Sequence, residues 1–138
     1  MKRTDRFIFD TNVLVSALLI DDSTADRAFR LALDIGSILV SSATLQELNE
    51  VLSRKKFEKY LYPYERDEFI ESLISEAILI DSTDEIHICH DPKDDKFLDL
   101  AACGNAAFIV SGDVHLLELK AFRKTRIVKP SEFISICQ

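Results

Sequence analysis

The sequence contains little of what would indicate a linker, a disulfide framework or a membrane segment. Glycine and proline occur three times each in 138 residues, too few for long disordered connections. The three cysteines, Cys89, Cys103 and Cys137, are odd in number and widely spaced, which argues against a disulfide framework or a zinc knuckle. No apolar run approaches the length of a bilayer span, and the first residues do not resemble a signal peptide. These absences predict a reduced, cytoplasmic protein with no membrane segment.

Positive charge is also in short supply. The chain has 17 Lys and Arg residues against 24 Asp and Glu residues, and its formal net charge is −7. This balance lacks the basic footprint of a dedicated nucleic-acid binder. Two interpretations stay open: the acidic residues form a solvated surface, or several of them cluster and are neutralised by a divalent metal ion.

Short apolar runs alternate with amphipathic stretches along the chain. The runs have the continuous apolar character of strands buried in a parallel sheet, and the stretches between them carry apolar residues at helical spacing. The predicted strands are residues 6–9, 37–40, 77–80, 106–110 and 125–128. The alternation predicts an α/β fold in a single domain over residues 1–138, with three α/β/α layers around a parallel sheet of about five strands.

Two of the predicted strands lead directly to an aspartate. Asp10 follows the first strand, and Asp113 follows the fourth through Ser111 and Gly112. The carboxyl ends of parallel strands lie along one edge of an open α/β sheet, which is where ligands bind. Either aspartate alone is equally well explained as a helix N-cap. The two together indicate a site at that edge.

Further acids lie at the starts of predicted helices. Residues 44–47 match a capping box, in which Glu47 would bond to the backbone N–H of Thr44, but Glu47 also lies on the flank of the apolar stripe, within reach of the same edge. Asp94 lies on the apolar stripe of its helix, where an ionised group needs a partner, whereas Asp95 lies off it. Several carboxylates at one edge repel one another unless cations are present, and oxygen ligands suit Mg²⁺ or Mn²⁺.

Taken in order, these segments resemble the PIN-domain ribonucleases. The matching segments are residues 9–13 (FDTNV), 45–48 (LQEL), 94–98 (DDKFL) and 110–113 (VSGD). The resemblance covers nearly the whole chain, and the order and rough spacing of the segments match. It is closest to the bacterial and archaeal branch regarded as toxins of toxin–antitoxin systems, through residues 91–95 and the Ser-Gly-Asp run.

The resemblance implies an endoribonuclease that depends on Mg²⁺ or Mn²⁺ and has an α/β/α fold. The catalytic acids would be Asp10, Glu47, Asp94 and Asp113. The metal ligands among them would be Asp10, Asp94 and Asp113. Glu47 would orient or deprotonate the attacking water.

The same resemblance implies supporting residues and partners. Asn12 would hold the site through hydrogen bonds, and Ser111 matches the small hydroxyl residue that the family usually has two positions before the last acid. Asp95 is the alternative to Asp94 as the third acid. The expected partners are RNA as substrate and an antitoxin protein, and a homodimer is expected.

Other polar and aromatic residues allow two interpretations each. His87, His90 and His115 are expected to be surface or structural residues. The basic residues within 54–59 are favoured as a solvated helix end, with an RNA contact as the alternative, and residues 120–126 offer a second basic stripe. The aromatic residues beside the first basic run are Phe57, Tyr60, Tyr62 and Tyr64. They would suit base stacking or a dimer or partner contact.

Two rival functions complete the sequence interpretation. A phosphotransferase of the haloacid-dehalogenase type also has an aspartate after its first strand, but it needs a second aspartate where Asn12 stands. The other rival is a catalytically inactive PIN-like scaffold that binds a protein partner or RNA. Stabilisation by Mn²⁺ separates an active metal site from such a scaffold, because only a folded state that binds the ion gains stability from it.

Overall fold

The structure of the chain, a computed structural model, describes residues 5–81 and 94–138. The predictions that concern His87, Cys89, His90 and residues 91–93 lie outside the described residues. Within them, a mostly parallel sheet is covered by helices on both faces, which confirms the predicted three-layer α/β/α fold. No helix in these ranges is long and apolar enough to cross a membrane.

The sheet has six strands in the order β3–β2–β1–β4–β6–β5. The strands are β1 (Arg6–Phe9), β2 (Ser37–Val40), β3 (Ile78–Leu79), β4 (Phe108–Val110), β5 (Ala121–Phe122) and β6 (Thr125–Val128). Five of them are parallel and correspond to the predicted strands, whereas β5 pairs antiparallel with β6 at the edge. The sequence prediction missed β5 because a strand of two residues leaves no apolar run to detect.

The central strand β1 divides the core into two parts. Phe7 and Phe9 face one helical layer and Ile8 faces the other, as the twofold alternation of a strand requires. All three side chains are buried, which explains why the strand is apolar throughout. The Phe133 ring packs edge-on against Phe7, with 5.1 Å between ring centroids, and anchors the last helix to the sheet.

Seven α-helices occur in the described residues, together with a 3-10 turn at Lys55–Phe57. The helices are α1 (Thr11–Leu19), α2 (Thr24–Ile35), α3 (Ser42–Leu52), α4 (Pro63–Glu76), α5 (Asp95–Gly104), α6 (Val114–Leu119) and α7 (Pro130–Cys137). Local sequence fixes several of the helix ends. Ser23 caps α2 by accepting a hydrogen bond from the Asp26 N–H at 3.1 Å, Pro130 is in the first turn of α7, and Asn105, at φ 53°, ends α5.

The predicted capping box at residues 44–47 is wrong by one turn. The N-cap of α3 is Ser41, whose Oγ accepts from the Thr44 N–H at 3.2 Å, while Thr44 Oγ1 accepts from the Ser41 N–H at 2.9 Å. The prediction failed because Ser41 and Thr44 are both suitable cap residues, and the sequence offers two overlapping registers. Since Ser41 caps the helix, the Glu47 carboxylate makes its contacts elsewhere.

Candidate active site

A cleft of about 200 Å³ lies at the carboxyl edge of the sheet, where β1 and β4 end. Its lining residues are Asp10, Thr11, Asn12, Glu47, Val51, Arg54, Asp94, Phe97 and Asp113. The structure therefore brings the four predicted acids together in one cleft. They arrive from separate parts of the chain: after β1, on α3, at the start of α5 and after β4.

Asp10 is the most buried of these acids, with 4% of its surface exposed. Its Oδ1 caps α1 by accepting from the Val13 N–H at 2.8 Å, and its Oδ2 accepts a hydrogen bond from the Ser111 hydroxyl. Burial raises the pKa of Asp10 above its ordinary 3.8, the Ser111 and Val13 hydrogen bonds offset part of this rise, and the charge of Asp113 adds to it. Asp10 therefore both caps α1 and lines the cleft.

Ser111 connects two of the acids. Its side chain is fully buried, and its Oγ donates to Asp10 and accepts from the Asp113 N–H at 2.9 Å. Asp113 in turn caps α6, because its Oδ1 accepts from the N–H groups of His115 at 2.8 Å and Leu116 at 3.2 Å. Both of these hydrogen bonds fall on the same carboxylate oxygen. The Ser111 hydroxyl therefore fixes the two strand-end acids relative to each other.

Glu47 is held from two sides. The Thr11 hydroxyl donates to its Oε2, and the Lys96 ammonium lies 3.0 Å from its Oε1. The Glu47 and Lys96 side chains are 21% and 24% exposed, so the ion pair is only partly screened by water. These contacts join α1, α3 and α5 at Glu47, a residue that lines the cleft.

The two neighbouring acids at the start of α5 differ in where they lie. Asp94 is the N-cap residue and lines the cleft, whereas Asp95 is the first helical residue and is not among the lining residues. Both are 8% exposed. The placement of Asp95 off the apolar stripe did not anticipate this burial, because the first turn of α5 is covered on more sides than its apolar stripe indicates.

Thr11, Lys96 and Arg54 belong to the site, and the sequence analysis did not place them there. Asn12 lines the cleft, but its side chain is exposed and makes no hydrogen bond within residues 5–81 and 94–138, whereas the neighbouring Thr11 bonds to Glu47. Lys96 belongs to the same DDKFL segment that singled out Asp94. Arg54, favoured from the sequence as a solvated helix end, is exposed but lines the cleft. His115 is exposed, as expected.

The donor chemistry of the cleft fits a hard divalent cation. Among the described residues, no three His, Cys, Asp or Glu side chains are already arranged to hold a metal ion. The four cleft acids nevertheless supply only oxygen ligands, which Mg²⁺ and Mn²⁺ prefer. The charge of Asp113 contributes to the raised pKa of Asp10, so these two carboxylates are close enough to repel each other, and a cation between them would remove that repulsion.

Comparison with known proteins identifies the family. A sequence model of the PIN domain matches residues 6–115. The chain belongs to the PIN-domain family. PIN domains are nucleases, so the acidic cleft is the candidate nuclease site of this member of the family.

Two relatives illustrate how far the likeness extends. An uncharacterized protein of Methanocaldococcus jannaschii is 25% identical over an alignment 139 positions long. The match covers 94% of this chain and 89% of that protein. A chain in the crystal structure of VapBC2 from Rickettsia felis, bound to a DNA fragment from their promoter, superposes with a TM-score of 0.61. That match covers 88% of this chain and 96% of the other at 18% identity. It shows that the two chains share a fold.

Proposed function

We propose that this PIN-domain protein is a metal-dependent endoribonuclease that hydrolyses phosphodiester bonds of RNA. The observation that carries the proposal is the convergence of four carboxylates, from four separate segments, in one cleft at the carboxyl edge of the sheet. Arg54 also lines the cleft, and Lys96 pairs with Glu47, one of the four lining acids. A cleft with this composition suits a polyanionic substrate only when metal ions neutralise the acids.

The metal ligands in this proposal are Asp10, Asp94 and Asp113. A bound Mg²⁺ or Mn²⁺ ion would supply an acidic water and neutralise charge on the phosphate. Asp10 would hold the ion through a carboxylate whose direction is fixed by the Val13 N–H and the Ser111 hydroxyl. Burial makes the ionised form of Asp10 costly in the metal-free protein, and this cost favours cation binding.

Glu47 orients the attacking water and accepts its proton in this proposal. A general base must be held in one position while a proton moves to it. The hydroxyl of Thr11 and the ammonium of Lys96 each contact one oxygen of the Glu47 carboxylate, and together they fix its plane. Thr11 and Lys96 therefore act as positioning residues.

We further propose that the protein is the toxin of a toxin–antitoxin pair. The resemblance of the DDKFL and VSGD segments to the toxin branch of PIN domains supports this proposal, as does the fold shared with the VapBC2 chain. On this proposal the partner is an antitoxin protein, the toxin forms a homodimer and it acts in the cytoplasm.

The test is cleavage of a mixed panel of single-stranded and structured RNAs with Mn²⁺, with Mg²⁺ and with EDTA. Helix α3 offers a matched pair, because Glu47 lines the cleft whereas Glu50 is exposed on the same helix. Glu47→Gln is expected to reduce cleavage about 100-fold or more, the usual contribution of a general base, and Asp113→Asn should do the same. Glu50→Gln is the control and should cleave like the wild type.

Two results would overturn the proposed function. Cleavage that persists in EDTA, or in Asp113→Asn, would remove the metal-dependent mechanism. A folded protein that neither cleaves the panel nor gains thermal stability from Mn²⁺ would instead be the inactive scaffold that binds a partner or RNA.

A further inference from the structure

Three tyrosines form an exposed aromatic surface, two of them between the 3-10 turn and α4 and the third in the first turn of α4. Tyr60, Tyr62 and Tyr64 are 69%, 65% and 62% exposed. The rings of Tyr62 and Tyr64 stack on each other, with centroids 5.7 Å apart and planes 8° from parallel. Aromatic rings held flat and open to solvent offer a face to another planar group. We refer to Tyr60, Tyr62 and Tyr64 as the tyrosine surface.

The tyrosine surface lies in a locally basic part of the described chain. Residues 54–66 contain five basic and two acidic residues, in a protein whose net charge is −7. The basic residues are Arg54, Lys55, Lys56, Lys59 and Arg66. All but Arg66 are exposed, and Arg66 donates a hydrogen bond from Nη1 to Ser53 Oγ at 3.0 Å. This local excess of positive charge is complementary to a phosphate backbone.

The tyrosine surface and the acidic cleft meet at the end of α3. Tyr62, Pro63 and Arg66 line a groove together with Ser53. The next residue, Arg54, lines the acidic cleft. The groove that contains Tyr62 and the acidic cleft are therefore lined by consecutive residues, Ser53 and Arg54.

The other basic stripe of the sequence, residues 120–126, has residues at the opposite edge of the sheet from the acidic cleft. Arg123 and Lys124 lie in the turn that precedes β6 and line a depression with Asn105 and Ala107, which precede β4. That depression is at the amino ends of these parallel strands, whereas the acids follow the carboxyl ends. Arg54, at the start of the 54–66 segment, is by contrast a residue that lines the cleft.

We propose that the tyrosine surface binds the unpaired bases of single-stranded RNA and leads its backbone past Arg54 into the cleft. The proposal rests on the proposed ribonuclease function and specifies its substrate class. Bases in a duplex are stacked on one another and do not offer their faces, whereas the bases of a single strand stack readily on aromatic side chains. Recognition of this kind tolerates different sequences, because every base has a flat face.

The test measures binding of a fluorescent 12-nucleotide oligouridylate in EDTA, where no cleavage occurs, with a blunt RNA duplex of equal length as a second ligand. Tyr62→Ala/Tyr64→Ala is expected to weaken single-strand binding by about 5- to 150-fold for each base that loses its stacking partner. Tyr62→Phe/Tyr64→Phe keeps both rings and should restore the affinity. Ile74→Ala removes another exposed apolar side chain of α4 and serves as the control.

Three outcomes would overturn the proposal. In the first, the wild type binds the duplex as well as it binds the single strand. In the second, it binds neither ligand. In the third, the double alanine variant binds the single strand as tightly as the wild type; if light scattering then shows that this variant has changed from dimer to monomer, the tyrosine surface is a contact between two copies of this chain.

A separate assay keeps this proposal distinct from the nuclease proposal. Hydrolysis of bis(p-nitrophenyl) phosphate by the wild type with Mn²⁺ reports on the acidic cleft through a substrate that contains no nucleic-acid base. If single-stranded RNA binds in a tyrosine-dependent way but neither RNA nor bis(p-nitrophenyl) phosphate is hydrolysed, the role of the tyrosine surface in binding is supported and the ribonuclease proposal is overturned. Hydrolysis by a protein whose RNA affinity does not depend on Tyr62 and Tyr64 would instead support the nuclease site and overturn the proposed role of the tyrosine surface.

Discussion

Replacing Lys96 with methionine tests how firmly Glu47 is held in the cleft. Methionine keeps the length of the apolar stem and a good helix propensity on α5, but it removes the ammonium that lies 3.0 Å from Glu47 Oε1. The Glu47 carboxylate then keeps the Thr11 hydroxyl but loses its counter-charge beside the other acids of the cleft. We therefore expect Lys96→Met to destabilise the metal-free protein.

The size of the effect follows from the burial of the ion pair. At 3.0 Å and an effective dielectric constant of about 20, the two charges attract by roughly 5.5 kcal/mol before desolvation is counted. Exposed pairs contribute about 0.2–1 kcal/mol, and breaking a fully buried pair costs about 3–5 kcal/mol. The side chains are 21% and 24% exposed, between these limits, so we expect a loss of about 1–3 kcal/mol.

The assay is a double-mutant cycle in EDTA with Lys96→Met, Glu47→Gln and the double variant, read by urea unfolding. Glutamine at position 47 can still accept from Thr11 but needs no counter-charge, so the double variant should be more stable than Lys96→Met alone. The predicted coupling between the two positions is about 1–2 kcal/mol, and it should persist in 0.5 M NaCl because partly buried pairs are poorly screened. A coupling below about 0.3 kcal/mol, or one that salt abolishes, would refute the claim that Lys96 positions Glu47.

Three further predictions concern stability in EDTA. Since burial raises the pKa of Asp10 above 3.8, ionised Asp10 costs stability at pH values above that raised pKa. Asp10→Asn should therefore raise Tm at pH 8, and a thermal melt series should show the gain shrinking as the pH falls through that pKa. Ser111→Ala should lower the free energy of unfolding by about 1–3 kcal/mol, because buried groups of Asp10 and Asp113 lose their partner; urea unfolding measures this. Gly36→Ala should lower the free energy of unfolding by about 1–3 kcal/mol through overpacking, because a Cβ there would lie 2.4 Å from the backbone oxygen of Asp5. Gly112→Ala is the control: a Cβ at this position would meet nothing within 4 Å, so the free energy of unfolding should not change. The Asp10 argument is contradicted if Asp10→Asn lowers Tm at pH 8. The Ser111 argument is contradicted if Ser111→Ala leaves the free energy of unfolding unchanged. The packing argument is contradicted if alanine at position 36 and alanine at position 112 change the free energy of unfolding equally.

The strand-end acids could be predicted because topology forces them together. Asp10 and Asp113 are 103 positions apart, but each follows a short apolar run of the kind found in buried parallel strands. Once the sheet is parallel, both acids must lie at its carboxyl edge. The structure places β1 next to β4, with Phe9 paired to Val110, so the two acids leave adjacent strands.

The partners of Glu47 could not be predicted in the same way. Thr11 and Lys96 reach Glu47 from 36 and 49 positions away, through side chains whose directions depend on how three helices pack. Local pattern even pointed to a different role, because residues 44–47 match a capping box that Ser41 and Thr44 form instead. Long-range side-chain contacts leave no periodic signal in the sequence.

Binding of Mn²⁺ by the cleft is the most direct test of the central claim, and α5 supplies a matched pair of variants. Asp94 and Asp95 are adjacent and equally buried, but only Asp94 lines the cleft. Titration followed by the shift in Tm should show stabilisation of the wild type by Mn²⁺, reaching about 2.7 kcal/mol at 100 times Kd. Each variant is compared with its own melt in EDTA. We predict that Asp94→Asn loses most of the shift and that Asp95→Asn keeps it. Equal shifts in all three proteins, or none in the wild type, would contradict the account of this cleft as a metal-dependent active site.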